Sequence, residues 1–252
     1  MSVLVHQALF EQRIFWRSRE AAIFIFVFPI LLYVLLSSVY GDEVELRGEI
    51  LPAGDVLLAG LLGYAAANTA FGGLAITLVI RREMGLLKRI RSTPLPPVAY
   101  LASVLLSILV IFALQAVALL VLGKLVFDAS PPENWLGFGG AIVVGAASFA
   151  CLGLAAASLI RSAESVAAVV NVALLPMAFL SGSFGPTAEY PGFLQAIADV
   201  LPLKYFLDVV NGVYLDGESL FADPAALGIV AAWAIGALLI AVRRFGWMPR
   251  DR

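Results

Sequence analysis

The chain has 252 residues, 62% of them hydrophobic and 13% charged, against roughly 45–50% and about 25% in an ordinary soluble domain, so lipid rather than water must solvate most of it. The apolar residues come in long blocks rather than amphipathic periods, which favours membrane spans over a soluble core. A formal net charge of −2, with the 16 Lys and Arg scattered through polar segments, excludes nucleic-acid binding, and the single cysteine, Cys151, excludes an internal disulfide.

The first twenty residues carry Glu11, Arg13, Arg17, Arg19 and Glu20 ahead of a full-length apolar block. No cleavable signal peptide is expected, and the first span should be retained. His6, Arg13 and Arg17 share one side of a helix, while Gln7 and Glu11 interrupt the apolar side and leave a modest amphipathic signal.

A helical span needs about 20 apolar residues. Six blocks meet this, near 21–40, 57–80, 98–122, 135–160, 165–181 and 225–243. Pro29 in the first and Pro176 in the fifth each remove a backbone hydrogen bond, so each is a candidate hinge or a static packing kink. Between the fifth and sixth blocks, Gly182, Gly185, Pro186, Pro191, Gly192 and Pro202 break any single helix. That stretch is expected to dip into the membrane without crossing it. With the N-terminus on the cytoplasmic side, every Lys and Arg except Arg47, Lys124 and Lys204 falls inside, a strong positive-inside bias that also puts the C-terminus inside. The acidic residues lean outward, with Asp42, Glu43, Glu45, Glu49 and Asp55 in one outer loop. Arginine in excess of lysine and abundant alanine suit a high-GC bacterial genome, and so a bacterial plasma membrane.

The chemistry of a self-sufficient pump is missing. No G-x-x-x-x-G-K-[ST] string occurs; Gly123-Lys124-Leu125 is the nearest, with Ala118 at the place of the first glycine. His6 is the sole histidine, no metal set is visible, and neither HExxH nor GxSxG occurs. Inside the spans the polar residues are Asn68, Thr69, Thr77, Gln115, Ser148 and Asn171. They either line a substrate path or form interhelical hydrogen bonds worth about 0.6–2 kcal/mol each.

The segment Arg81-Arg82-Glu83-Met84-Gly85-Leu86-Leu87-Lys88-Arg89-Ile90-Arg91-Ser92-Thr93-Pro94-Leu95-Pro96-Pro97 is too polar to cross. Leu86, Leu87 and Ile90 share a helical face and Pro94 ends the helix, which predicts a short amphipathic helix on the inner surface. Taken alone it also suits a basic helix resting on anionic lipid. Its form, R-R-E-x-G-x-L-K-R-x-R-x-T-P-L, resembles the membrane component of type-2 ABC exporters. A second resemblance covers Asn171 through Pro186, with Pro176-x-x-Phe179-Leu180-Ser181-Gly182, and Leu201-Pro202-Leu203-Lys204-Tyr205. With the six-span layout it extends over essentially the whole chain and is nearest to the daunorubicin-resistance type of drug-export permease. Gly185 departs from it, since many relatives carry a bulky apolar residue there.

The resemblance implies an all-α integral membrane protein, a single transmembrane domain over 1–252. It comprises six spans, an interfacial helix at 1–20, a coupling helix at 82–94 and an outer re-entrant segment at 182–207. It implies that Arg82, Glu83, Gly85, Leu87, Lys88, Arg89, Arg91 and Thr93 contact a separate ATP-binding subunit. ATP and Mg²⁺ are then used by that partner, and no cofactor or catalytic residue belongs to this chain. A second copy or a homologous permease completes the path. Asn68, Thr69, Phe71, Asn171 and Phe179 are the candidates to line it, and Pro29, Pro176, Gly182 and Pro186 are the hinge or gate candidates. The expected function is export of a hydrophobic or amphiphilic substrate, a drug or lipid-like molecule. A lipid-linked polysaccharide exporter subunit and a non-transporting membrane scaffold are the alternatives, and the scarcity of acidic residues in the spans argues against an ion-coupled carrier.

Overall fold

The computed structural model describes residues 3–188, 190–246 and 248. The elements in chain order are α1 (Val3–Arg17), α2 (Arg19–Tyr40), β1 (Glu43–Leu46), β2 (Glu49–Pro52), α3 (Ala53–Ala67), a π-helical segment (Asn68–Gly73), α4 (Leu74–Glu83), α5 (Leu86–Arg91), α6 (Pro97–Phe127), α7 (Trp135–Leu159), α8 (Ala163–Ser181), α9 (Gly192–Ala198), α10 (Pro202–Tyr214) and α11 (Pro224–Arg244). Six helical stretches are long and apolar enough to span a membrane: Ala22–Tyr40, Ala53–Glu83, Val98–Phe127, Trp135–Leu159, Ala163–Ser181 and Pro224–Arg244. All six expected spans are present. One addition is not helical, a hairpin whose strands pair in the register Glu43↔Pro52 to Leu46↔Glu49. Arg47 and Gly48 turn it with φ of +56° and +82°, the positive-φ pair of a tight hairpin loop.

Local chemistry sets the helix ends. Asn134 caps α7 by accepting from Gly137 N at 2.9 Å, Asp223 caps α11 by accepting from the amides of Ala225 and Ala226, and Gly182 closes α8 at φ +88°. Asp55 lies in the first turn of α3, buried, and accepts from Ser130 N at 2.7 Å. It therefore belongs to the second span rather than to an outer loop, where a helix N-terminus favours its charge.

The second span, α3 through α4, is the central rod: 72% of its apolar window is buried, against 22% for the first and sixth spans. Its 31 residues reach about 46 Å, longer than a hydrocarbon core of about 30 Å. The π segment in its middle meets α7 at Gly153, where an added Cβ would lie 2.8 Å from Phe71 O. Absence of a side chain at Gly153 is what allows that approach. Alternation of the helices puts α1, the loop 84–96, the turn 160–162 and Arg243–Arg244 at one end of the bundle, the loop end. The strands and the connections 128–134, 182–192 and 215–223 are at the other, the hairpin end.

At the loop end α1 is held to α6 and α4 through polar side chains. Gln12 Nε2 donates to Ser107 O at 2.7 Å and to its Oγ at 3.0 Å. Glu11, 5% exposed, receives both guanidinium arms of Arg81 at 2.9 and 2.6 Å, and Arg81 also donates to the Tyr100 hydroxyl at 2.7 Å.

Candidate functional site

The cytoplasmic loop of the sequence reading is a shorter helix than expected. Span helix α4 continues through Glu83, Met84 and Gly85 turn the chain with Gly85 at φ +71°, and only 86–91 are helical. Ser92 Oγ donates to Arg89 O at 2.8 Å and Thr93 Oγ1 to Ile90 O at 2.6 Å, satisfying carbonyls that the helix end leaves open. Pro94, Pro96 and Pro97 then stop it. Leu87 is fully buried and Ile90 packs on the core, so the apolar face of α5 is turned into the chain's own bundle. Lys88, Arg89, Arg91 and Thr93 are exposed on the other face, and Gly85 is half-buried.

Two of the expected partner contacts are instead internal. Leu87 anchors α5 because an amphipathic helix buries its apolar side against the nearest apolar surface, here the bundle itself. Arg82, 1% exposed, points between helices and donates to Ala157 O at 2.7 Å and Ile160 O at 2.5 Å. A guanidinium there satisfies carbonyls at the end of α7 and meets the negative end of its dipole. Glu83, its neighbour, accepts from Ala163 N at 2.5 Å at the start of α8.

The candidate path residues divide into two sets. Thr69 and Phe71 are buried, and Thr69 Oγ1 donates to Gln115 Oε1 at 3.4 Å. Both belong to interhelical packing in this structure, and the burial of the second span is the physical reason. Asn68 is half-buried at the π segment, near Gly72. Asn171 and Phe179 are exposed on α8, where the Phe179 ring meets Phe184 edge-on at 4.7 Å and Phe184 meets Tyr64 at 5.1 Å. The open face of α8 is thus the surface on which Asn171 and about half of Phe179 are exposed.

Among the hinge candidates, Pro29 is buried and Pro176 is exposed. The carbonyl that Pro29 leaves without its helical donor is Ile25 O, and Gln115 Nε2 of α6 donates to it at 2.8 Å. Gly182 and Pro186 flank the turn leaving α8, both half-buried. Gly185 has φ +138°, and a Cβ there would lie 2.1 Å from the Tyr40 hydroxyl. The space beside Gly185 is filled by Tyr40, a tyrosine of the first span.

The re-entrant segment extends past its expected limit of 207, since α10 runs to Tyr214. Phe206 packs against Gly145 and Phe149 of α7 and Leu207 against Gly63 of α3. Gly145 lies ten residues, about 15 Å, along α7 from its hairpin end, so α10 begins deep in the bundle and rises to the hairpin end. Trp233 Nε1 donates to Val200 O at 3.0 Å and fixes the α9–α10 turn against α11. Beside that turn Lys204 pairs with Asp199, the two side chains 33% and 57% exposed. A recess of about 320 Å³ there is lined by Leu180, Thr187, Gln195, Asp199 and Lys204 among others. At the hairpin end Arg47 reaches Asp208 at 3.2 Å and Asp216 at 3.4 Å, seating the hairpin on α10. No group of three or more His, Cys, Asp or Glu that could hold a metal occurs among the described residues.

The arrangement has relatives. A Bacillus subtilis (strain 168) chain named as transport permease YvfS is 27% identical over 207 residues, covering 82% of this chain and 83% of that one. A chain of Escherichia coli (strain K12) named as multidrug ABC transporter permease YbhR is 25% identical over 158 residues, 62% of this chain and 43% of the longer relative. Nodulation protein J of Rhizobium meliloti (strain 1021) is 30% identical over 88 residues, about a third of each chain. The family model described as ABC-2 type transporter matches residues 7–215, from α1 to just past the end of α10, and the chain belongs to that family of multi-pass transport permeases.

Proposed function

We propose that this chain is the transmembrane subunit of an ATP-driven exporter for a hydrophobic or amphiphilic substrate, drug or lipid-like, energised by a separate ABC ATP-binding subunit that holds ATP and Mg²⁺. The observation that carries the reading is α5. It is a short helix fixed to the bundle by Leu87, placed directly at the end of the buried second span, and it presents Lys88, Arg89 and Arg91 outward. A basic ridge so mounted suits docking into an acidic cleft, and its displacement would be passed to the most central helix of the bundle. A ligand shifts a conformational equilibrium only by its differential affinity for the two states, so the ATPase must grip this ridge differently before and after hydrolysis.

The loop end carries α1, α5, Arg161, Arg243 and Arg244, and by the positive-inside rule it faces the cytoplasm of a bacterial plasma membrane, with both termini inside. One six-span unit cannot enclose a path for a large amphiphile. Two permease chains, identical or homologous, therefore pair with two ATPase subunits. Asn171 and Phe179, on the open face of α8, and Asn68 are the residues of this chain that would meet substrate between them. The name of the relative YbhR, a multidrug permease, supports the drug-like end of the substrate range.

The test is co-expression with the ABC ATPase encoded beside it, followed by ATP hydrolysis in lipid nanodiscs, with the ridge reversed as Lys88→Glu/Arg89→Glu/Arg91→Glu. Co-purification with the wild type and its loss in the reversed ridge is the expected result. A permease that purifies without any ATPase overturns the reading in favour of a scaffold.

A further inference from the structure

The loop end holds a pair of adjacent side chains that each bond to the backbone of another helix or its turn. Arg82 and Glu83 end α4, and both reach across to the turn that joins α7 to α8. Arg82 donates to Ala157 O at 2.7 Å and Ile160 O at 2.5 Å, on the α7 side of the turn. Glu83 accepts from Ala163 N at 2.5 Å, the first residue of α8. The amides of a helix start lack internal partners. Of those of α8, Ser165 N is taken by Ser162 Oγ at 3.3 Å while Ala163 N is taken by Glu83. Each charge sits at the helix end whose dipole favours it, the cation at a C-terminus and the carboxylate at an N-terminus. The turn itself is only residues 160–162, too short to absorb relative movement of its two helices.

We propose that Arg82 and Glu83 are positioning residues that clamp the 160–162 turn to the end of the second span, so that displacement of the α5 loop is delivered to the fourth and fifth spans together. This rests on the exporter reading above, and it gives the two residues a role inside the permease rather than at the ATPase surface. The fifth span matters because α8 carries Asn171 and Phe179 on its open face. Without the clamp, α5 would still bind its partner and still move the second span. The span that bears the candidate substrate contacts would no longer follow.

The experiment compares wild type, Glu83→Ala and Glu83→Gln in the full complex with its ATPase in nanodiscs. Hydrogen–deuterium exchange of the 160–166 amides is followed without nucleotide and after trapping with ATP and vanadate. In wild type these amides should change their exchange on trapping. In Glu83→Ala they should exchange about fivefold to tenfold faster without nucleotide, as expected for one lost capping bond, and the nucleotide-dependent difference should vanish while the ATPase stays bound. Glu83→Gln keeps an oxygen acceptor and should retain the wild-type pattern. Loss of the ATPase from Glu83→Ala, or an undiminished nucleotide response in it, overturns the clamp. If even the wild-type permease binds no ATPase, the exporter reading fails instead, and faster exchange in Glu83→Ala still decides the tether.

Discussion

Gln115 supplies to Ile25 O the hydrogen bond that Pro29, lacking an amide hydrogen, cannot, its Nε2 lying 2.8 Å from that carbonyl. A proline in a helix interior frees the carbonyl four residues before it, and in hydrocarbon such a carbonyl is costly unless a neighbour answers it. Gln115 also accepts from Thr69, so one amide joins the first three spans beside Pro29. The backbone gap that Pro29 opens is therefore braced in this structure.

Replacing Gln115 by Leu should destabilise the bundle by about 1–3 kcal/mol, since it leaves Ile25 O unanswered. The check is a pairing with Pro29→Ala, which restores the helical donor. In that background Gln115→Leu should cost much less, read as a smaller fall in the temperature at which the purified chain leaves its monodisperse peak. Equal losses in both backgrounds would mean that Gln115 acts by packing alone.

The pair Glu11–Arg81 makes a second demand. Glu11→Ala leaves a guanidinium that is 13% exposed without its carboxylate, a change worth about 3 kcal/mol or more when such a pair is truly buried. Arg81→Ala should cost a similar amount, and the double replacement less than the sum of the two. Thermal inactivation of the four variants gives the cycle, and simple additivity would show that α1 docks without the ion pair.

How much of this was legible beforehand differs by scale. The spans were readable because lipid leaves the sequence little choice: about 20 apolar residues must be helical to satisfy their own backbone. The break between the fifth and sixth spans was readable from its glycines and prolines, although α10 runs on to Tyr214 because Val213 and Tyr214 are buried and the Tyr214 hydroxyl donates to Ser130 O. The hairpin was not seen. Its strands are four residues each, too short for the alternation Glu43-Val44-Glu45-Leu46 to stand out, although Arg47-Gly48 could have betrayed the turn. At the candidate site, the apolar face of α5 was legible from the spacing of Leu86, Leu87 and Ile90, whereas the resemblance lists Arg82 and Leu87 among partner contacts although both are buried in the chain's own bundle. Nothing in the local spacing distinguishes an arginine that meets a partner from one that caps a helix seventy-five residues away. Glu11 interrupts an amphipathic pattern for the same reason: its partner, Arg81, is contributed by another span.

Glycine substitutions separate close helix packing from mere flexibility. Gly153→Ala would set a Cβ 2.8 Å from Phe71 O, a backbone atom of the π segment, and no side-chain rotation relieves that. It should lower stability by about 1–3 kcal/mol. Gly139→Ala, on the same helix with nothing within 4 Å of the new Cβ, should be neutral or slightly stabilising. Folded yield and thermal retention of the two variants, measured side by side, test whether α7 needs its small residues for contact with the second span.

The Lys204–Asp199 pair poses a question of solvent. The α9–α10 turn beside it is tied to Trp233, nine residues and about 14 Å into α11 from its hairpin end. Charges at such depth avoid lipid and face either a partner or water. Both side chains nevertheless remain open in a single copy, at 33% and 57% exposure. In a Cys151→Ser background, Lys204→Cys should react with a charged, membrane-impermeant thiol reagent added from the side of the hairpin. Ile235→Cys, on α11 two residues from Trp233 and 60% exposed, should not react, because hydrocarbon covers it. Reaction at 204 alone would mark the polar recess beside α10 as continuous with water. Protection at both positions would mean that a second protein surface closes over the pair.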